Sequence, residues 1–248
     1  MNKIELLEKL INSSKKIVVM TGAGFSKASG IPDFRSSDGL YNDSSEKINP
    51  EKILSRTFFI NNTKEFFDFY FNKMIYPKAK PNLAHRKLFE LEQKGRLYAI
   101  ITQNIDGLHQ ASGCEKVLEL HGTVHENYCI SCNEFLNLKD FLKIKDKPLC
   151  PKCGNIIKPK VTLYEEVLDE EVLNKSLDAV KQADLLIVAG TSLAVQPASS
   201  LPYYFKGRHI VIINLEETGL ERFADLVIND KVERVLSRVK IRNIDDIE

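Results

Sequence analysis

Four of the chain's five cysteines stand in two close pairs, Cys129-Ile-Ser-Cys132 and Cys150-Pro-Lys-Cys153, with 17 residues between the pairs. That is the spacing of the two knuckles of a zinc ribbon. Four thiolates close a tetrahedral shell around Zn²⁺, and a closed shell leaves no position for water or substrate, so the metal expected here is structural. A polar segment of about 35 residues would bury too little surface to stay folded without it. Nucleic-acid binding by such a ribbon is disfavoured, because residues 137–147 offer scattered Lys among Asp and apolar residues and no aromatic stacking platform. Cys114 has no base marked for it in the sequence and reads as a small buried residue.

The second constellation is Thr21-Gly-Ala-Gly-Phe-Ser-Lys-Ala-Ser-Gly30, which runs straight out of an apolar stretch and reads as the opening of a helix. At such a turn in a parallel sheet, backbone N–H groups and a helix N-terminus can face a pyrophosphate. Lys27 falls where a G-x-G-x-x-G fingerprint would have its third glycine. Asp38 and Asp43, near the distance of a ribose-binding acid, sit in polar loop sequence after Pro32 and not at a strand end. Hydride transfer therefore loses ground, and a plain turn stays open on these residues alone.

The elements that must carry these groups follow from apolar periodicity. Short apolar runs at 16–20, 97–102, 184–189, 209–214 and 225–228 alternate with helical patterns at 84–94, 169–181 and 232–239. This β–α alternation predicts a doubly wound parallel sheet. Two stretches interrupt it. Residues 50–76 hold six of the chain's 13 Phe and read as a small helical module with a shared core. Residues 124–159 hold the cysteine pairs. The expected division is a main domain of 1–49, 77–123 and 160–248, with 50–76 and 124–159 forming a smaller one. At 248 residues, 43% hydrophobic and 28% charged, with a formal net charge of +1, the chain gives no electrostatic reason to expect nucleic acid or a membrane surface. Ile4, Leu7 and Ile11 mark one face of an N-terminal helix interrupted by charges, unlike a signal peptide, and no run reaches the roughly 20 apolar residues of a membrane span. The expectation is a cytoplasmic monomer.

Several motifs, in order over nearly the whole chain, resemble the sirtuin family: Gly22-Ala-Gly-Phe-Ser26, Ser29-Gly-Ile-Pro-Asp-Phe-Arg35, Thr102-Gln-Asn-Ile-Asp106 with Leu108-His109, His121-Gly122, the two cysteine pairs, Lys158-Pro-Lys-Val-Thr-Leu-Tyr164 and Gly190-Thr-Ser-Leu-Ala-Val195. The resemblance implies a Rossmann-like α/β fold with an inserted zinc ribbon, and NAD⁺-dependent removal of acyl groups from protein lysines. It implies that His121 is the base that takes a proton from a ribose hydroxyl, after the acyl oxygen has attacked the ribose. Imidazole suits that task near neutral pH. Asn104 and Gln103 would address the ribose and an ordered water, while Asp106 and the Ile105 backbone hold the nicotinamide carboxamide. Taken alone, Asn104 and Asp106 read equally as helix caps. Ala23, Gly24 and Lys27 in the glycine turn, and Phe34 and Arg35 in the loop after it, would meet the cofactor. Arg35 suits phosphate through its planar fork of donors. Gly190, Thr191, Ser192, Asn214 and Glu216 would serve the adenosine end, with a last contact at Lys231 or Val232.

The resemblance also implies that a substrate strand inserts between 162–166 and 194–196, meeting Thr162, Tyr164, Glu165 and Val195 by main-chain hydrogen bonds that read side chains poorly. Here the chain departs from the family, which usually carries Phe-Gly-Glu where Tyr164-Glu165-Glu166 stands. Glu in place of Gly predicts the loss of the freedom to adopt positive φ. Members that favour succinyl or malonyl groups carry Tyr-x-x-Arg after the cofactor loop. Tyr41 is followed by Asn42, Asp43 and Ser44, so acetyl and longer uncharged acyl groups are expected over acidic ones. Two other readings remain: ADP-ribosyl transfer to protein, which shares the nicotinamide cleavage, and a zinc-stabilised nucleotide sensor that releases no nicotinamide.

Overall fold

A computed structural model describes residues 2–33, 39 and 48–244. Six strands, β1 (Ile17–Thr21), β2 (Leu97–Thr102), β3 (Val117–Glu119), β7 (Leu185–Ala189), β8 (His209–Ile213) and β9 (Leu226–Ile228), form one sheet in the order β3-β2-β1-β7-β8-β9. Every pairing is parallel. The direction of winding reverses between β1 and β7, so a crevice opens there at the carboxyl ends of the strands. Strand β1 and strand β7 are buried at every position, as expected for a sheet covered on both faces.

The pleat divides each strand between two cores. Ile17 and Val19, with Ile100, Ile187 and Val211, meet α1 (Lys3–Ser13), α5 (Leu83–Gln93) and α9 (Val232–Leu236) through Leu7, Ile11, Leu88, Leu91 and Val235. Val18 and Met20, with Ile101, Val188 and Ile212, face α8 (Glu170–Gln182) and a 3₁₀ turn at Ala198–Tyr204 through Ala179, Val180 and Leu201. Local signals start the helices. Asn2 caps α1 with a reciprocal bond from Glu5, and Asp169 accepts the Val172 N–H at the start of α8.

Two differences from the sequence expectation bear on the site. The glycine turn opens no α-helix: 3₁₀ turns at Ala23–Phe25 and Lys27–Ser29 follow it, and Gly30 ends them with φ +83. The turn is held from outside, since Asn82 at the start of α5 donates to the Phe25 carbonyl (2.9 Å) and to Ser29 Oγ (3.0 Å). The last helix also stops at Leu236, short of residue 239.

The helical stretch and the cysteine stretch share one core. Helices α2 (Pro50–Ile53), α3 (Arg56–Asn61) and α4 (Thr63–Lys73) place Phe58, Phe59, Phe66, Phe67 and Tyr70 against Phe141, Ile157, Cys129 and Cys150. Phe141 belongs to α7 (Leu138–Lys143), and its ring lies 6.0 Å from that of Phe67. A three-stranded antiparallel sheet, ordered β5-β4-β6, completes the lobe from β4 (Gly122–Cys129), β5 (Phe135–Asn137) and β6 (Ile157–Val161). No helix among the described residues is long and apolar enough to cross a membrane.

Candidate active site

A cavity of 820 Å³ lies over the carboxyl ends of the parallel strands, in the upper part of the roughly 300–1,000 Å³ range of ligand pockets. Each strand delivers a segment to it. Gly22, Ala23, Gly24 and Lys27 follow β1, and Gln103, Asn104, Ile105 and Asp106 follow β2. His121 comes shortly after β3. Gly190, Thr191 and Ser192 follow β7, Asn214 and Glu216 follow β8, and Lys231 and Val232 come after β9. Thr162, Tyr164, Glu165 and Val195 line the same space. Phe34, Arg35 and Tyr41 lie outside the described residues.

Close approach explains the glycines. A Cβ on Gly22 would stand 2.6 Å from Thr191 Cβ, and one on Gly24 would stand 3.0 Å from Gly190 Cα. The Gly24 N–H donates to the Gly190 carbonyl at 2.9 Å, so the first and fourth crossings of the chain meet as bare backbone. This leaves the Ala23 N–H without a partner among the described residues, a donor suited to an anion. Lys27 forms an ion pair with Asp33 at 3.2 Å.

At the end of β2 the polar side chains are held in one network. A carbonyl only accepts, so the contact from Asn104 to the Gly22 oxygen (3.0 Å) identifies the amide nitrogen, which also donates to Ser26 Oγ (3.1 Å). Ser26, 1% exposed, donates its own hydroxyl hydrogen bond to Asp106 Oδ2 at 2.7 Å. The other oxygen of Asp106 accepts the Leu108 N–H at 2.9 Å. Neither residue is a helix cap: Gly107 stands at the N-cap of α6 (Leu108–Ala111), Asp106 closes a local turn just before it, and Asn104 crosses to the glycine loop. Burial pushes the Asp106 carboxyl up, opposed by the Ser26 and Leu108 bonds and by His125. The Ile105 carbonyl accepts from the Val124 N–H (3.0 Å), while its own N–H has no partner among the described residues.

His121 sits where the large sheet passes into the small one. Its Nδ1 lies 3.0 Å from the Gln103 carbonyl; because that oxygen only accepts, the proton is on Nδ1 and the Nε2 lone pair is free. Burial lowers the imidazole pKa and the Gln103 bond partly restores it, so the ring is neutral at neutral pH. The carbonyl of His121 accepts the Thr162 N–H at 2.9 Å. Gly122, at φ +74, lets the chain turn there, since a Cβ would strike the Lys160 carbonyl. The base candidate and the expected peptide wall are therefore joined at the root of the cysteine hairpin.

The four cysteine sulfurs lie within 4.8 Å of one another. Around Zn²⁺ with Zn–S bonds of about 2.3 Å, tetrahedral geometry sets them about 3.8 Å apart, so the donor set fits the ion. Each pair is built alike: Asn133 (φ +57) and Gly154 (φ +75) follow the second cysteine in the left-handed region. Their N–H groups return to the Cys129 and Cys150 carbonyls at 3.1 and 2.9 Å. Backbone N–H groups of Cys132 and Lys152 point at the Cys129 and Cys150 sulfurs, at 3.5 and 3.4 Å, as suits thiolates. Cys114 is buried, and burial pushes its thiol up to about 11, which leaves it inert at neutral pH.

Sequence reasoning gave no role to two groups at the site. Ser26 stood inside a quoted motif, but its hub position needs the fold to bring residues 80 apart together. His125 lines the cavity with Nε2 3.0 Å from the Asp106 carbonyl. One expectation is overturned: Glu165 does adopt positive φ, at +73, although it is not glycine.

Comparison with known proteins gives a consistent set of likenesses. The Sir2 family profile matches residues 22–197. The chain is similar to an NAD-dependent protein deacetylase of Clostridium perfringens, 51% identical over 243 residues, covering 96% of this chain and 98% of the relative. Among solved structures, a Sir2 protein with a p53 peptide and NAD⁺ superposes with a TM-score of 0.85 at 40% identity, covering 96% of this chain and 97% of the other. Sir2Tm bound to a propionylated peptide superposes with a TM-score of 0.85 at 38% identity, with the same coverage.

Proposed function

This chain belongs to the Sir2 family, and on that premise we propose that it is an NAD⁺-dependent protein-lysine deacetylase in which His121 is the base at the cofactor ribose. The solved relatives carry NAD⁺ and acyl-lysine peptides in the same fold, and the cavity has room for a dinucleotide and a lysine side chain together. NAD⁺ would supply an ADP-ribosyl group: as its bond to nicotinamide breaks, the acyl oxygen would take the ribose carbon, and one water would then complete the release of the lysine amine and leave the acyl group on ADP-ribose.

The protein's share is seating, shielding and one proton. Backbone donors at Ala23 and at the 190–192 turn would take the phosphates. Asn214 and Glu216 with Lys231 and Val232 would hold the adenosine end. The Ile105 N–H and the buried Asp106 carboxyl would fix the carboxamide, with Ser26 keeping Asp106 in place. Asn104 has its amide nitrogen tied to Gly22 and Ser26, which leaves Oδ1 for the ribose side. At Nε2, His121 would accept a proton from a ribose hydroxyl. The observation that carries the reading is the His121 tautomer set by Gln103, since it puts the basic nitrogen on the free side of the ring.

Cys129, Cys132, Cys150 and Cys153 would hold one structural Zn²⁺, which locks the hairpin whose root carries His121. A peptide would add as a strand between 162–166 and 194–196, with Tyr164 and Val195 beside it. Uncharged acyl groups would be favoured. Deacetylation of an acetyl-lysine peptide with NAD⁺, compared between the native protein and His121→Ala, tests the reading. Nicotinamide and O-acetyl-ADP-ribose should form in equal amounts and only with peptide present. Full activity in the mutant, ADP-ribose attached to protein in place of the acetylated product, or no nicotinamide at all would reject it.

A further inference from the structure

The wall of the cavity formed by residues 163–166 is clipped to the helical segment. The Arg56 N–H donates to the Tyr164 carbonyl and the Tyr164 N–H to the Leu54 carbonyl, both at 3.0 Å, a single parallel rung between Ser55 and Tyr164. Both main-chain groups of Tyr164 thus face the helices. Residues 163–166 form a turn in which the Glu166 N–H donates to the Leu163 carbonyl and the Leu163 N–H to Glu166 Oε2, so the main-chain groups left on this wall for a visiting strand are those of Glu165. Neither the N–H nor the carbonyl of Glu165 has a partner among the described residues.

Where those groups point is set by an unusual backbone. Glu165 has φ +73, one of three non-glycine residues with positive φ among those described. An acidic L-residue stays in this region when its surroundings over-determine it. Here they do: the Thr57 N–H (2.9 Å) and Thr57 Oγ1 (2.6 Å) both donate to the same oxygen, Glu165 Oε2. The two bonds hold the carboxyl below its ordinary range, so the acceptor is charged at neutral pH. The neighbouring Glu166 is tied down separately, accepting from the Leu163 N–H and from Lys158 Nζ, each at 2.9 Å.

We propose that Glu165 is a positioning residue for the acyl-peptide: its bonds to Thr57 hold the left-handed turn that aims the free main-chain groups of this wall, and so tie peptide capture to the helical segment. The proposal rests on the deacetylase reading of the cavity. It separates peptide binding from cofactor cleavage, because neither Glu165 nor Thr57 is among the groups bonded to Asn104, Asp106 or the His121 ring.

Steady-state deacetylation of an acetyl-lysine peptide, with peptide varied at saturating NAD⁺ and NAD⁺ varied at saturating peptide, is the test. Glu165→Ala keeps the Cβ strain and loses both bonds, so the peptide KM should rise about tenfold while kcat and the NAD⁺ KM stay within about twofold. Glu165→Gln should recover most of the loss, since an amide oxygen accepts the same two donors. Glu165→Gly should fall between, because glycine takes positive φ freely without an anchor. Thr57→Val, which removes the hydroxyl and leaves the N–H, should give a smaller rise than Glu165→Ala. An unchanged peptide KM in Glu165→Ala, a loss shared with the NAD⁺ KM, or no recovery in Glu165→Gln overturns the proposal. If the native protein releases no nicotinamide with peptide present, the deacetylase reading fails first and takes this proposal with it.

Discussion

His121 shows how a single side chain acquires a direction. The Gln103 carbonyl accepts a hydrogen bond from Nδ1–H, and burial keeps the ring neutral. His121→Ala should therefore reduce kcat/KM for an acetyl-lysine peptide by roughly 10²–10⁴-fold, measured by nicotinamide release. A base works only unprotonated, so activity should rise with pH through the pKa of His121 and level off above it. Because that pKa is lowered from 6.5, the acid limb of the kcat/KM profile should lie below pH 6.5; a limb centred above it would contradict the burial of the ring. Acyl choice is argued from single residues too. By the family resemblance, a preference for acidic acyl groups would call for an arginine three positions after Tyr41, where the sequence has Ser44. Acetyl-lysine should give the larger kcat/KM than succinyl-lysine on one peptide sequence, and the reverse order would refute this. The role expected of each of these residues was legible in the chain through the family resemblance. That Ser26 joins Asn104 to Asp106 was not, because nothing in a serine beside a glycine turn names partners some 80 positions away.

The cysteine hairpin adjoins His121 at its root. Gly122 pairs with Val161 where the strands leave the large sheet, and Thr162 donates to His121 beside it. If Zn²⁺ closes the four thiolates, a metal assay should find one ion per chain. Removing it with a chelator, or Cys150→Ser, should lower the melting temperature and the deacetylase rate together. Gly122→Ala meets the same root from the other side: with φ +74 and the Lys160 carbonyl in the way of a Cβ, it should destabilise the protein by about 1–3 kcal/mol or more, read from denaturant unfolding. The parallel strands followed from short unbroken apolar runs, as a sheet covered on both faces requires, and the long helices from apolar residues recurring about every 3.6 positions. Short elements carried no such repeat. Strand β3 has three residues, all half-buried, and the 3₁₀ turns after Gly22 depend on Asn82 reaching back to Phe25 and Ser29.

For the molecule as a whole, two buried imidazoles should dominate the acid limit of stability. His85 and His109 are 0% and 1% exposed, and the Phe25 ring lies 5.0 and 5.2 Å from theirs. Burial lowers the pKa of His85 to about 4 and, with the nearby His85, drives that of His109 well below 6.5. The unfolded chain therefore binds protons that the folded chain refuses between pH 6.5 and about 4. Stability should be complete above pH 6.5 and fall as pH drops through that window, which urea unfolding at a series of pH values would reveal; a flat profile there would mean that the two rings are charged in the fold. By itself the sequence determined the doubly wound order of strands and helices and the four sulfur donors, because spacing and periodicity are properties of neighbours along the chain, and its resemblance to the sirtuin family marked the segments that could meet a dinucleotide. Tertiary structure alone decided which side chains join the Phe-rich helices to the cysteine hairpin, Phe67 against Phe141 among them. It decided which nitrogen of His121 is free, and that Glu165 takes up a left-handed turn against Thr57, 108 positions away. Those outcomes depend on hydrogen bonds and packing between segments that only the folded sheet brings within reach.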